Sequence, residues 1–386
     1  MGRKTPALAT RWRAGLWALA GVVFCLGTFA LIVALRSPGP VATVDQAPDR
    51  AASLAAFLAD GAGPEAVALR GPWTLSLPRD HGSHPEAPAE TWTIFAALEG
   101  PDEARFDLVF SLLRQGMAAG AGEADRDPSP WDLTTLWAGQ VMLIPSASAR
   151  VFSAERYARV AGAAGHDAAA REVWIDDWTL SYGTGEGGVG LGLRASAGGA
   201  LLDLALVPEK PPLAPDAGDA PGLRGFALPR LAVTGHVVID GVATALSGSA
   251  WLDRGWGDIP RPGGPIARDR LILQLSDGRD LSLLRTRRIG RDGSATLDAV
   301  LVDALGGVTY LDDATLTLEV QREAGDGSVA WQLAGAGLDL TATVGRWVTQ
   351  DVLVPVRIGP VTVEGRVDGT AVQGRGALVL SEGAEQ

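Results

Sequence analysis

From Trp73 onward the chain repeats one pattern, short runs in which apolar and polar residues alternate, each closed by Gly, Asp or Pro. Val361-Thr-Val-Glu-Gly-Arg-Val is the clearest case: successive strand side chains point to opposite faces, and here the valines share one of them. Runs of the same texture at 92–98, 106–113, 140–144, 174–182, 189–193, 201–207 and 231–239 predict strands, as do 271–275, 281–285, 314–320, 338–344, 352–358, 361–367 and 376–380. The Gly- and Pro-rich stretch 257–267 separates two sets. The pattern therefore predicts a mainly β protein of two antiparallel units, each closing into a barrel or sandwich, the first over 66–258 and the second over 259–386. Residues 153–164 read as a helix, and 123–131 and 208–221 as loops.

One segment departs from this pattern. Residues 14–35 form an uncharged run of 22, rich in Leu, Val and Ala, long enough as a helix to span the ~30 Å hydrocarbon layer. Arg3, Lys4, Arg11 and Arg13 precede it and only Arg36 follows closely, so the positive-inside rule keeps the N-terminus in the cytoplasm. The expectation is a single-pass inner-membrane anchor over 1–36, a linker with a short helix over 37–65, and a periplasmic body. A cleaved signal peptide is the alternative, although its apolar region is usually only about 7 to 15 residues long. Cys25 lies inside the run without the small residue that precedes a lipidated cysteine, and serves there as a small apolar side chain.

Composition narrows the function. At 386 residues the chain has the length of about two domains, and 50 glycines and 24 prolines with almost no lysine suit strands and turns. A formal charge of −12 argues against nucleic acid as a partner, since phosphate binding needs a basic stripe. The single cysteine excludes a disulfide framework or a thiolate metal site within the chain. Serine-hydrolase, zincin and nucleotide-hydrolase motifs are missing. Gly183-Thr-Gly-Glu-Gly-Gly matches a nucleotide-binding pattern in spelling only: a strand run follows it instead of a helix, so it reads as a hairpin turn.

Three constellations carry chemistry. Asp80-His81-Gly-Ser-His84-Pro joins two imidazoles to a carboxylate, with Glu90 near enough to join them. Structural hydrogen bonding leads there, proton transfer or ligand contact comes second, and a metal last, because a third protein ligand is not evident. Neither a metal nor a cofactor is expected. Ser247-Gly-Ser-Ala-Trp-Leu-Asp-Arg-Gly-Trp brackets Asp253 and Arg254 between Trp251 and Trp256, which suits a pocket wall or, equally, a strand end with core tryptophans. Arg285, Arg287, Arg288 and Arg291 read as a solvated basic run, with membrane headgroups as the alternative contact.

Leu77-Pro-Arg-Asp-His-Gly-Ser-His-Pro, Glu90-Thr-Trp, Trp174-Ile-Asp-Asp-Trp, Leu228-Pro-Arg-Leu-Ala-Val-Thr-Gly and Gly248-Ser-Ala-Trp-Leu-Asp-Arg-Gly-Trp together resemble the lipocalin-like family of AttH and hydroxyneurosporene synthase (CrtC), a carotenoid 1,2-hydratase. The tail Val363-Glu-Gly-Arg-Val-Asp-Gly resembles that family's closing strand pair, so the likeness runs over about 70–380. It implies two lipocalin-like barrels with an apolar cavity, and an association with ABC-transporter permeases. In the hydratase branch a histidine stands at the position of Arg254, and a tyrosine and an aspartate at those of Leu284 and Thr286. Arginine is not an acid that can protonate an alkene, so the departures weaken the hydratase reading.

The leading expectation is a membrane-anchored periplasmic protein that binds or chaperones a lipid-like or isoprenoid molecule. Its contacts are drawn from Asp80, His81, His84, Glu90, Trp92, Trp251, Asp253, Arg254 and Trp256, with Trp92, Trp251 and Trp256 walling the cavity. A hydratase that uses His81, His84 or Asp253 as its acid is the second reading. A structural role, with the tryptophans buried as core, is the third.

Overall fold

A computed structural model describes residues 69, 71–116, 135–159, 162–214, 222–257, 266–288, 295–322, 328–350 and 356–381. All of them belong to one compact unit, Pro48–Gln386. The apolar run 14–35, the arm 37–65 and the loop 123–131 lie outside the described residues. Among those described, no helix is long and apolar enough to cross a membrane.

Alternating runs become two antiparallel sheets. The first holds β1 (Ala89–Glu99), β2 (Arg105–Gly116), β3 (Thr135–Pro145), β4 (Phe152–Arg159), β5 (Ala164–Asp167), β6 (Glu172–Ile175), β7 (Trp178–Thr184), β8 (Gly190–Ala197), β9 (Ala200–Pro208), β10 (Leu223–Ile239) and β11 (Val242–Gly257). Its strand order is β4-β3-β2-β1-β11-β10-β9-β8-β7-β6-β5. The second holds β12 (Ile266–Leu275), β13 (Asp280–Arg288), β14 (Thr296–Val302), β15 (Val308–Asp312), β16 (Thr317–Arg322), β17 (Val329–Gly335), β18 (Leu338–Val344), β19 (Val348–Gln350), β20 (Val356–Val367) and β21 (Thr370–Ser381). Its order, β15-β14-β13-β12-β21-β20-β18-β17-β16 with β19 beside β20, winds the same way. In each sheet the first strand pairs antiparallel with the last, β1 with β11 and β12 with β21. The chain thus builds one topology twice, as two nearly closed half-barrels.

Each sheet curls around its own core. In the first, Gly139 of β3 leaves room for Ile175 and Trp178 across the interior, where a Cβ would stand 2.9 and 3.0 Å from them. Trp92, Ile94, Phe110, Leu112, Trp178 and Trp256 fill that interior. Leu271, Leu273, Leu283, Trp331, Leu340 and Val363 fill the second.

Two expectations fail locally. Residues 153–164 are not helical: Phe152–Arg159 is β4, an edge strand, and Ala164–Asp167 is β5. Ala, Glu and Arg favour helix intrinsically, but pairing with β3 decides, and Phe152 and Ala158 face the core while Ser153, Glu155 and Tyr157 face solvent. The run 174–182 breaks into β6 and β7 at a turn where Asp176 has φ 51°. The glycines after Gly183 do form the β7–β8 connection.

A third apolar cluster joins the two half-barrels. Phe95, Val109, Met142, Ile144 and Trp251, from the outer face of the first sheet, meet Ile272, Ile358 and Ala377 from the outer face of the second. Polar bonds surround it. Arg375 holds Asp107 at 2.8 Å, and Ser249 Oγ donates to Gln274 Oε1 at 2.7 Å. Lys210 Nζ donates to Asp280 Oδ2 at 2.6 Å while Arg230 reaches Asp280 Oδ1 at 2.8 Å, with Lys210 and Asp280 almost fully buried.

Candidate functional site

Strand alternation sorts the candidate residues onto two faces. On β11, Leu252, Arg254 and Trp256 point into the first half-barrel, and Trp251 and Asp253 point outward to the seam. On β1, Glu90 and Trp92 point inward opposite Trp256 and Arg254. Trp92, Trp251 and Trp256 therefore share no wall, and all three are at most 1 % exposed. They are buried as core, which corrects the expectation of a cavity that they line together.

The inward group ties down a segment. Residues 71–88 lie across one end of the first half-barrel, with a 3₁₀ turn at Arg79–His81 that buries Asp80 and His81. Glu90 is the anchor: Arg114 Nε donates to Oε1 at 2.5 Å, Ser83 Oγ donates to the same oxygen at 2.6 Å, and the His84 N–H donates to Oε2 at 2.8 Å. An Arg254 Nη2 bond to Oε2 completes the set. The two arginines then reach the carbonyls of the segment itself, Arg254 to Gly82 at 2.7 Å, and Arg114 to His84 at 2.9 Å and Ala87 at 2.5 Å. Arg254 lies 4.0 Å above the Trp92 ring and 5.0 Å from that of Trp256, on which His84 stacks at 4.1 Å. Trp92 Nε1 donates to the His81 carbonyl at 2.8 Å. The cluster is a latch: most of its donors are spent on a cap over the barrel end, while Arg254 Nε is buried without a partner.

Electrostatics follow from this burial. Burial would raise the Glu90 carboxyl, but its hydrogen bond with His84, the charges of Arg254 and Arg114, and the Ser83 hydroxyl outweigh it and hold the group far below the usual carboxylate range. Burial pushes Arg254 down to about 10, against Glu90, so it remains a cation at neutrality. Burial, then the charge of Arg254, pushes His81 down to about 4, which leaves a neutral imidazole against Phe226 and Tyr182. Asp80 is lowered: burial opposes, and the Arg79 side chain and the Ser76 N–H prevail. Beside the cap, His166 Nε2 lies 2.8 Å from the Tyr182 hydroxyl, with Gly82 packed so close that a Cβ there would approach both within 2.7 Å.

The outward group sits at the edge of the seam. Arg270 Nη2 from β12 reaches both oxygens of Asp253 at 3.0 Å, and Trp251 Nε1 donates to Oδ1 at 2.8 Å. The pair is about a third exposed, 28 % for Arg270 and 33 % for Asp253. Across the strands Asp253 is followed in register by Thr93, Ser111 and Gln140, whose Nε2 is buried without a partner. Leu284 faces Arg270 across the β12–β13 ladder. Behind this row the apolar seam leaves a gap of about 20 Å³, room for one water molecule, between Phe95, Ile144, Trp251, Ile272 and Ile358.

Arg114, Tyr182 and Arg270 escaped the sequence reading. The signal for Arg114 was available, because it continues the inward register of Phe106, Leu108, Phe110 and Leu112 and so had to be a buried cation with a partner. Arg285 and Arg287 extend Leu281 and Leu283 in the same way. They turn inward to Asp269, at 3.8 and 3.0 Å, so these two are not solvated as expected.

Fold and site define a twin half-barrel protein of lipocalin type, with one capped end and a polar-edged seam. The chain belongs to the AttH-like family, whose model matches residues 68–380. Among solved structures it is similar to a protein assigned as AttH from Nitrosomonas europaea, at 22 % identity and a TM-score of 0.65, over 81 % of this chain and 99 % of that one. It is also similar to kievitone hydratase from Nectria haematococca, at 12 % identity and a TM-score of 0.51, over 83 % and 95 % of the two chains. At these identities the likeness concerns the fold. A comparison with curated proteins finds no match.

Proposed function

We propose that this protein binds a small lipid-like or isoprenoid molecule at the seam between its half-barrels, tethered to the inner membrane by residues 14–35 with its body in the periplasm. The observation that carries the reading is the Asp253–Arg270 pair, a partly exposed charge pair on the border of an apolar crevice. Among the described residues, buried side chains line both barrel interiors, and the latch spends most of its polar groups on the cap. At the seam, an apolar body would lie against Phe95, Val109 and Ile144, and an oxygen function would meet Arg270 or the partnerless Gln140 amide. Entry requires the seam to widen, since its present gap admits only water.

A hydratase-like reaction is the second reading, favoured by the place of Asp253. Of the three acid candidates, His81 is buried beneath the cap and His84 is stacked on Trp256, whereas Asp253 borders the seam. Ion-paired through both oxygens, however, its carboxylate accepts hydrogen bonds and donates none, which suits binding better than proton delivery.

The test uses the full chain purified in an uncharged detergent. Extraction and mass spectrometry should recover an apolar molecule, and Asp253→Asn and Ile144→Trp should each lower its occupancy about tenfold. Recovery of no such molecule, with no saturable change in tryptophan fluorescence on adding farnesol or oleate, would refute the binding reading. Incubation with an isoprenoid alkene in heavy water tests the second: deuterium in a hydrated product, abolished by Asp253→Asn, would put catalysis first.

A further inference from the structure

The interior of the second half-barrel ends in charge. Asp269, Leu271 and Leu273 share the inward face of β12, and Leu281, Leu283, Arg285 and Arg287 share that of β13, with Asp269 opposite Arg285 and Ala267 opposite Arg287. Asp269 is fully buried, and the two guanidinium groups are 18 % and 15 % exposed. Arg287 Nε donates to Asp269 Oδ2 at 3.0 Å, while Arg285 Nη1 stays 3.8 Å from that oxygen, too far for a hydrogen bond, and lies 5.8 Å from the Trp331 ring. Buried Arg287 Nη2 also lies 3.0 Å from Asp269 Oδ2, ion-paired with it but without hydrogen-bond geometry to any described residue.

Two cations thus face one anion. The first half-barrel contains the same arrangement, Glu90 between Arg114 and Arg254, but there the Nη2 donors of both arginines are used by the carbonyls of Gly82, His84 and Ala87 in the cap, although Arg254 Nε is left without a partner. Among the described residues no carbonyl takes that part for Arg285 or Arg287. Burial, and then the neighbouring Arg287, push Arg285 down, against the opposing pull of Asp269. Each guanidinium offers five donors in a planar fork, matched to the spacing of carboxylate and phosphate oxygens.

We infer that this end of the second half-barrel is a binding site for one oxyanion, the carboxylate or phosphate of a small ligand, held between Arg285 and Arg287 with Trp331 as the apolar wall beneath. The bound oxyanion takes the place that the cap's carbonyls hold in the first half-barrel. Asp269 orients Arg287 and, by occupying part of the positive charge, limits affinity. The site is separate from the seam: it faces into the second sheet, and the Asp253–Arg270 pair lies on the outside.

Inorganic phosphate and acetate, titrated into the full chain at constant ionic strength with chloride as the balancing anion, provide the test. Expected is a saturable rise in Tm and a saturable change in tryptophan fluorescence that chloride does not produce. Arg285→Gln and Arg287→Gln should each weaken phosphate binding about tenfold, and Arg285→Gln, which removes one of the two cations facing one anion, should fold with a Tm no lower than that of the parent. Asp269→Asn should tighten binding about threefold, a gain that misfolding cannot imitate. Dodecanoate stronger than acetate assigns the site to an amphiphile's head group, and equal strength assigns it to a free anion. No saturable response to phosphate or acetate, or unchanged affinity in both arginine variants, overturns the inference and leaves the seam reading untouched.

Discussion

His81 shows what a single buried imidazole does to the pH dependence of this protein. Its folded pKa of about 4 lies below the unfolded value of 6.5, so the unfolded chain takes up a proton that the folded chain refuses. Its contribution is therefore complete above about pH 6.5 and is lost as pH falls toward 4, an effect on the order of 3 kcal/mol. Glu90 acts in the same direction at lower pH, because its folded pKa is also depressed. Denaturant midpoints measured between pH 7.5 and 4.5 should fall for the parent and fall less for His81→Phe, which keeps the contacts with Phe226 and Tyr182. Equal slopes would show that His81 titrates normally. At this scale the sequence was half legible. The residue types around Asp80, His81, His84, Glu90 and Arg254 announced a polar cluster, and alternation along β11 already separated Trp251 and Asp253 from Arg254 and Trp256. What the residues could not announce is that backbone carbonyls of 82–87 would be the arginines' partners, since any residue supplies a carbonyl.

Strands were legible where one face is apolar and illegible where packing overrides propensity, as in β4. Thr296–Val302, Val308–Asp312 and Val329–Gly335 passed unread, β15 because it is largely exposed and so lacks an apolar face. Glycines in the long strands carry a constraint that alternation conceals. Gly235 in β10 and Gly365 in β20 have φ of 152° and 151°, and a Cβ on either would stand 2.2 or 2.1 Å from the carbonyl oxygen of Asp203 or Asp339 on the next strand. Each glycine lets a strong bend form at the corresponding place in the two sheets. Gly365→Ala should cost about 3 kcal/mol or more, and Gly369→Ala in the neighbouring turn, with open space around it at φ 78°, about 1 kcal/mol. Chemical denaturation of both variants checks the difference, and equal costs would place the strain elsewhere.

At the scale of the molecule, two strand sets and the Gly/Pro-rich break between them made a pair of β units legible, but nothing in the chain marked the seam. Its residues lie on outer faces, where a sequence reading assigns solvent. The Lys210–Asp280–Arg230 cluster is a buried polar link across it, in which one carboxylate compensates two cations. Asp280→Asn should destabilise by about 3 to 5 kcal/mol, because Lys210 would remain buried without a counter-charge. Calorimetry should then resolve two transitions where the parent gives one, as the half-barrels uncouple. A single transition in the variant would mean that the apolar seam alone keeps them together.

Pairing of β1 with β11, from Ala89 opposite Gly257 to Glu99 opposite Ser247, also sets a timetable. An edge of the first sheet stays open until the residues of β11 are available to pair with β1, and its closure needs no residue of β12. Long-range closure of this kind is slow and leaves strand edges exposed while it waits. A chain emerging N-terminus first therefore meets its most vulnerable moment just before Gly257, and completes one half-barrel as a template surface on which the second can dock.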